Sequence, residues 1–112
     1  MNEALEQLAA RANLPVAALE QIYTALAKEA TVQRALLYGS RARGTARNTS
    51  DIDIALDGDT LSLAHKARLE QVLDDLLLPW KIDLCVLRDV DNADLLANIQ
   101  QDGQLLYQRK SS

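Results

Sequence analysis

The feature that most constrains the fold is a pair of short segments between residues 34 and 56. Residues 34–38, Arg-Ala-Leu-Leu-Tyr, form an apolar run that stops at Gly39. Its length and its terminal glycine favour a buried strand over a helix. Residues 51–56, Asp-Ile-Asp-Ile-Ala-Leu, begin in strict alternation, with Asp51 and Asp53 on one side and Ile52, Ile54 and Leu56 on the other. A period of two with one apolar side reads as a half-buried strand.

The flanking sequence supplies helices to cover such strands. Residues 3–12 place Leu5, Leu8, Ala9 and Ala12 at helical spacing, with Asn2 as the expected cap and Glu3 and Glu6 near the positive end. Asn13-Leu14-Pro15 breaks that helix, and Pro15 suits the first turn of a second one over 15–29. The second helix puts Val16, Leu19, Ile22, Tyr23 and Leu26 on one face. Residues 61–78 are predicted as a helix with Leu61, Ala64, Leu69, Val72, Leu73 and Leu76 as its apolar set, ended by Pro79. Residues 81–87 read as a third strand, with Ile82, Leu84 and Val86 sharing a face and Asp83 opposite. A short helix over 92–102 and a last strand over 104–108 complete the chain. No repeat or linker interrupts it. Helices interleaved with short strands predict a compact α/β or α+β domain, a small sheet flanked by helices, whose strand order the hydrophobic pattern leaves open.

Size and charge narrow the function classes. The 112 residues suit one domain, with N-terminal helices over 1–30, a core over 34–87 and a C-terminal helix and strand over 92–108. A formal charge of −4 speaks against stable binding to nucleic acid or to an anionic membrane. A single cysteine excludes an internal disulfide. No apolar run approaches the roughly 18–20 residues that span a bilayer, and Met1-Asn2-Glu3 lacks the start of a signal peptide, so the expected location is the cytoplasm. The average charge conceals an asymmetry. Arg34, Arg41, Arg43 and Arg47 lie in a stretch without acids, and Asp51, Asp53, Asp57 and Asp59 follow in one without bases. That sequence suits a site holding a polyanion together with a divalent cation. Solvated loop charges are the plainer reading.

Chemistry favours the site. Two carboxylates at i and i+2 on a strand lie on the same side, about 7 Å apart along the backbone, and can reach the same cation. Mg²⁺ takes hard oxygen ligands, usually a few carboxylates plus substrate phosphates, and two such ions clamp an in-line displacement at phosphorus. Gly39-Ser40 supplies the other half, because a glycine after a strand admits close approach of a phosphate. Free amides and a serine hydroxyl at the start of a helical turn donate to that phosphate. Arg41 and Arg43 are the candidate charged forks. Asp83 is the candidate third carboxylate, a further metal ligand or the base, since it projects from a strand whose other face is apolar. His65, Cys85, Trp80 and the scattered Tyr23, Tyr38 and Tyr107 carry no matching pattern and read as packing or surface residues.

Gly39-Ser40-Arg41-Ala42-Arg43-Gly44 followed by Ser50-Asp51-Ile52-Asp53-Ile54 resembles the signature of the DNA polymerase beta nucleotidyltransferase superfamily. More narrowly, it resembles the minimal nucleotidyltransferases that partner HEPN-domain proteins. The signature covers residues 39–54, and Asp83 extends the match over about residues 30–90. The resemblance implies a single nucleotidyltransferase domain over 1–112, built on a mixed sheet flanked by helices. It implies that Asp51, Asp53 and Asp83 form a catalytic triad binding Mg²⁺, and that Gly39 and Ser40 hold a nucleoside triphosphate. It further implies transfer of AMP from ATP to a hydroxyl, a tyrosine of a HEPN toxin, with the chain acting as antitoxin in a hetero-oligomer. Larger superfamily members carry an added domain for the acceptor. Here about 30 residues precede the core and about 25 follow, which favours an acceptor supplied in trans.

Three other readings compete. A binding module of the same fold neutralises its partner without catalysis. A small-molecule nucleotidyltransferase needs an acceptor site for which the chain has little room. A DNA-binding regulator would use residues 5–26 as a helix-turn-helix, yet the second helix carries only Lys28 as a base alongside Glu20 and Glu29.

Overall fold

The structure is a computed structural model and describes residues 3–110. Its elements run α1 (Glu3–Ala12), α2 (Val16–Lys28), β1 (Arg34–Tyr38), α3 (Gly39–Arg43), β2 (Ile52–Asp57), α4 (Leu63–Asp74), β3 (Ile82–Val86), α5 (Ala93–Asp102) and β4 (Gln104–Gln108). A single 3₁₀ turn, Leu87–Asp89, follows β3. The strands form one sheet in the order β3-β2-β1-β4. β1 pairs antiparallel with β2 and β4, and β2 pairs parallel with β3, so the sheet is mixed. The crossover carrying α4 supplies the long connection that a parallel pair needs.

The core lies on one face of the sheet. Ala35 and Leu37 of β1, Ile52, Ile54 and Leu56 of β2, and Leu84 and Val86 of β3 meet Leu5 and Leu8 of α1, Leu19, Ile22 and Leu26 of α2, and Leu69 and Leu73 of α4. Each fully buried side chain such as Leu37 or Ile54 contributes about 1.5–3 kcal/mol of apolar burial. Tyr107 of β4 meets Tyr23 of α2 edge-on, with ring centroids 5.2 Å apart. The two N-terminal helices are therefore core cover. Among the described residues no helix is long and apolar enough to cross a membrane.

Several boundaries differ from the sequence reading: α2, β3 and α5 are each shorter by a residue at one or both ends, and Pro15 is the N-cap of α2 rather than part of its first turn. Asp51 lies just before β2 rather than inside it, because the strand's pairing with β1 and β3 begins at Tyr38↔Asp53 and Ile52↔Ile82. α4 starts at Leu63, after Ser62, whose hydroxyl accepts from His65 N while His65 Nδ1 accepts from Ser62 N. Leu61 is buried ahead of that cap, and His65 is a capping residue. α4 also ends at Asp74, not at 78. Leu77 turns into the left-handed region (φ +55°) with its side chain exposed, and Leu78 is held away from helical geometry by Pro79. The expected Asn2 cap lies outside the described residues.

Candidate active site

The sheet's second face carries the polar chemistry. Residues paired across neighbouring strands point the same way, so the register sorts them into rows. Tyr38, Asp53 and Asp83 form one row across β1, β2 and β3, and Leu36, Ala55 and Cys85 form the next. Asp51 sits two residues ahead of Asp53, exposed, at the mouth of the first row. The structure thus brings Asp53 and Asp83 directly opposite each other, with Asp51 leading in.

Gly39 closes the row from below. It follows β1 with φ +74°, a conformation that L side chains rarely adopt, and a Cβ there would lie 2.6 Å from Asp53 Oδ2. The carboxylate therefore occupies the space that the missing side chain leaves. Gly44, with φ +80°, ends the five-residue helix α3, so the Gly39–Gly44 segment turns back on itself between two left-handed glycines. Ser40 follows Gly39 on α3, and its carbonyl accepts from Thr45 N at 3.1 Å.

The electrostatics of the row are those of a crowded anionic site. Burial, then the charges of Asp83 and Asp51, push the Asp53 carboxyl above its ordinary range, against the opposing pull of Arg43 and Lys81. Lys81 Nζ lies 3.5 Å from Asp83 Oδ1. The Tyr38 hydroxyl and the Cys85 thiol are hydrogen bonded at 3.7 Å. Burial first, then that bond and the charges of Cys85, Asp53 and Asp83, push the phenol upward, so Tyr38 stays protonated. Burial likewise raises the Cys85 thiol, which is no ready nucleophile.

The residues present fit a hard divalent cation. All three candidate ligands are carboxylates, and ionisation of Asp53 is opposed by its two acidic neighbours, a conflict that a bound cation relieves. As the side chains stand, no group of three or more His, Cys, Asp or Glu residues among the described residues is gathered closely enough to hold a metal ion, so the fit rests on the donor chemistry of the carboxylates.

The two arginines separate. Arg41, expected to contact phosphate, is fully buried, and its guanidinium donates to the carbonyls of Ala12, Asn13, Asn48 and Ser50. It faces the protein interior and cannot reach a nucleotide. Arg43 is half-exposed, 3.4 Å from Asp102, and its charge acts on Asp53. Tyr38 and Lys81 were missed from sequence. Only the pairing register reveals Tyr38, whereas Lys81 stands two residues before Asp83, a spacing visible in the chain.

Asp83, Trp80 and Lys81 also line a cleft of about 390 Å³ between α4 and the start of β3. A larger hollow of about 450 Å³ lies against the α1–α2 turn, Asn48 and Trp80, and includes none of the carboxylates.

Residues 20–112 match the family described as Polymerase beta, Nucleotidyltransferase. Two proteins of Methanocaldococcus jannaschii, each named as a candidate protein adenylyltransferase, are 36% identical over 77 residues, covering 68% of this chain and 76% of each relative. Among solved structures, a toxin–antitoxin with AMP-PNP is similar at a TM-score of 0.67 and 30% identity, covering 82% of this chain and 74% of that one. A tri-AMPylated Shewanella oneidensis HEPN toxin in complex with MNT antitoxin is similar at 0.62 and 26%, covering 83% and 71%.

Proposed function

Because the chain belongs to the polymerase beta nucleotidyltransferase family, we propose that it is an antitoxin that transfers AMP from ATP to a tyrosine hydroxyl of a HEPN-domain toxin. The observation that carries this reading is the Asp53 carboxylate, seated in the space left by Gly39 and paired in register with Asp83. Support also comes from relatives named for protein adenylyl transfer and from similarity to toxin–antitoxin structures with AMP-PNP or an AMPylated HEPN toxin. The chain acts as one nucleotidyltransferase domain in the cytoplasm, in a hetero-oligomer with its toxin.

Asp51, Asp53 and Asp83 would hold Mg²⁺, which when bound neutralises charge on the triphosphate and on the departing pyrophosphate. Gly39 and the Ser40 hydroxyl hold the phosphates at the end of β1, beside the Asp53 carboxylate that fills the place of a Gly39 side chain. Arg43 adds positive charge at the rim. Asp83 takes the proton of the acceptor hydroxyl. The acceptor oxygen bonds to the α-phosphorus while the bond from that phosphorus to the α–β bridging oxygen breaks. Pyrophosphate leaves with the bonding pair.

Labelled ATP, Mg²⁺ and the co-purified toxin test the assignment. Label should move to toxin tyrosine and be lost in Asp53→Asn. Persistent transfer in that variant overturns the carboxylate assignment. Protection of cells by Asp51→Ala/Asp53→Ala would instead show neutralisation by binding alone.

A further inference from the structure

Among the described residues, Arg41 is the largest fully buried side chain. Its Nη1 donates to Ala12 O at 3.0 Å and Asn13 O at 2.9 Å, and its Nη2 to Asn48 O at 3.3 Å and Ser50 O at 2.8 Å. The indole of Trp80 covers the guanidinium at 5.7 Å, and Trp80 Nε1 donates to the same Asn48 carbonyl at 2.7 Å. Asn13 Nδ2 ties to Asn48 Oδ1 at 2.9 Å. One cation thereby satisfies two carbonyls at the C-terminal end of α1, where helix carbonyls lack partners and positive charge is favoured. It also satisfies two in the loop that leads to β2.

The positions of these contacts along the chain matter more than their number. Arg41 stands two residues after Gly39, Ser50 directly precedes Asp51, and Trp80 lies three residues before Asp83. Ile52 N donates to Lys81 O at 2.9 Å, joining the last two of these segments. The three stretches that bring Gly39-Ser40, Asp51-Asp53 and Asp83 to the site all pass through the Arg41–Trp80 contact. Neither side chain belongs to the carboxylate row.

We propose that Arg41 is a positioning residue for the carboxylate site, with Trp80 as its cover: its fork fixes the 45–50 loop that delivers Asp51 and, through Asn48 and Trp80, the start of β3 that delivers Asp83. A lysine cannot replace it, because one ammonium does not span four carbonyls arriving from two segments. The proposal uses the nucleotidyltransferase reading for its kinetic arm only.

Two variants test it in the full chain. Arg41→Lys keeps the charge and loses the fork. Trp80→Phe keeps an aromatic cover and loses the Nε1 donor, so it preserves the fold if Arg41→Lys does not. Amide hydrogen exchange follows Thr45, Arg47 and Ser50, each hydrogen bonded in the structure. Mn²⁺ serves as the probe cation, read by its paramagnetic resonance. Transfer kinetics separate kcat from KM. In a folded variant the 45–50 amides should lose protection while β1 and β4 keep theirs. Mn²⁺ should bind more weakly, and kcat should fall about 10- to 100-fold with little change in KM for ATP, the size seen when supporting contacts of metal ligands are removed. Wild-type exchange in 45–50 overturns the proposal, and so does protection lost evenly across the sheet, which marks a structural role alone. If the wild-type protein transfers no AMP, the exchange and Mn²⁺ arms still decide on Arg41, so the two failures are told apart.

Discussion

Replacing Gly39 by alanine tests the site at the contact on which its chemistry depends. The new methyl would lie 2.6 Å from Asp53 Oδ2, about 0.8 Å inside the 3.4 Å at which ordinary contact begins. The carboxylate has little room to yield, since Asp53 is half-buried between its row neighbours Tyr38 and Asp83. Either Asp53 rotates off the row or residue 39 abandons φ +74°. The backbone term alone costs roughly 1–2 kcal/mol for a side chain in the left-handed region. At roughly 4–8 °C per kcal/mol in a domain near this size, that is a lowered but measurable melting temperature. Moving a reacting group by about 1 Å costs on the order of a hundredfold in rate. Gly44→Ala is the control, because Gly44 has the same handedness (φ +80°) but its added methyl would meet only Arg11, at 3.7 Å. Both variants should melt early by calorimetry, and only Gly39→Ala should lose AMP transfer to the toxin. Equal loss in both would refute the reasoning, because strain in α3, not the Asp53 contact, would then set the rate.

Further outcomes follow from individual contacts. Asp83→Asn should keep the fold, since this half-exposed side chain pairs with an exposed Lys81, and should abolish transfer in the labelled-ATP assay. Arg43→Ala should raise KM for ATP several-fold and leave the melting temperature nearly unchanged, because its exposed pair with Asp102 is worth less than about 1 kcal/mol. Glu29 gives a pH signature. Burial raises its carboxyl, but hydrogen bonds from Arg68 and Thr31 and the Arg68 charge outweigh burial and leave it below 4.5. The stability it adds is therefore present above that value and lost as pH falls through the lowered one. Arg68→Met should cost about 1 kcal/mol at neutral pH, a figure discounted for an arginine side chain that is 64% exposed. The gap to wild type should close in urea titrations carried out well below pH 4.5.

Local pattern made the elements legible and pairing made the site. The bounds of β1 and β4, residues 34–38 and 104–108, match the sequence reading because a glycine stands directly beside each apolar run. α4 is shorter than its apolar pattern because Leu76 and Leu78 pack on the core from outside the helix, where periodicity does not distinguish them. Asp51, Asp53 and Asp83 stood out as carboxylates at strand positions. Their meeting depends on β2 and β3 being parallel neighbours in register, which no local signal contains. Tyr38 stayed unremarkable for the same reason, although it completes the Asp53–Asp83 row.

Arg41 and Arg43 are alike in the chain and part in the fold. Two residues apart, in a loop following a Gly-Ser pair, they present the same charge and the same claim on a phosphate. On a helix, positions i and i+2 face nearly opposite directions, so one arginine of the pair turns inward wherever the other turns out. Which one goes in is decided by what lies inside. Here that is the end of α1 and a loop with backbone carbonyls that need donors, and a guanidinium fork reaches four of them. The usable signal was the surrounding backbone rather than the arginine. Asn13-Leu14-Pro15 ends a helix without a glycine, and residues 44–50 contain no apolar side chain larger than alanine. Both segments lie largely at the surface, yet the carbonyls of Ala12, Asn13, Asn48 and Ser50 turn toward one buried point, and Arg41 is the multidonor side chain that the turn of α3 aims at them.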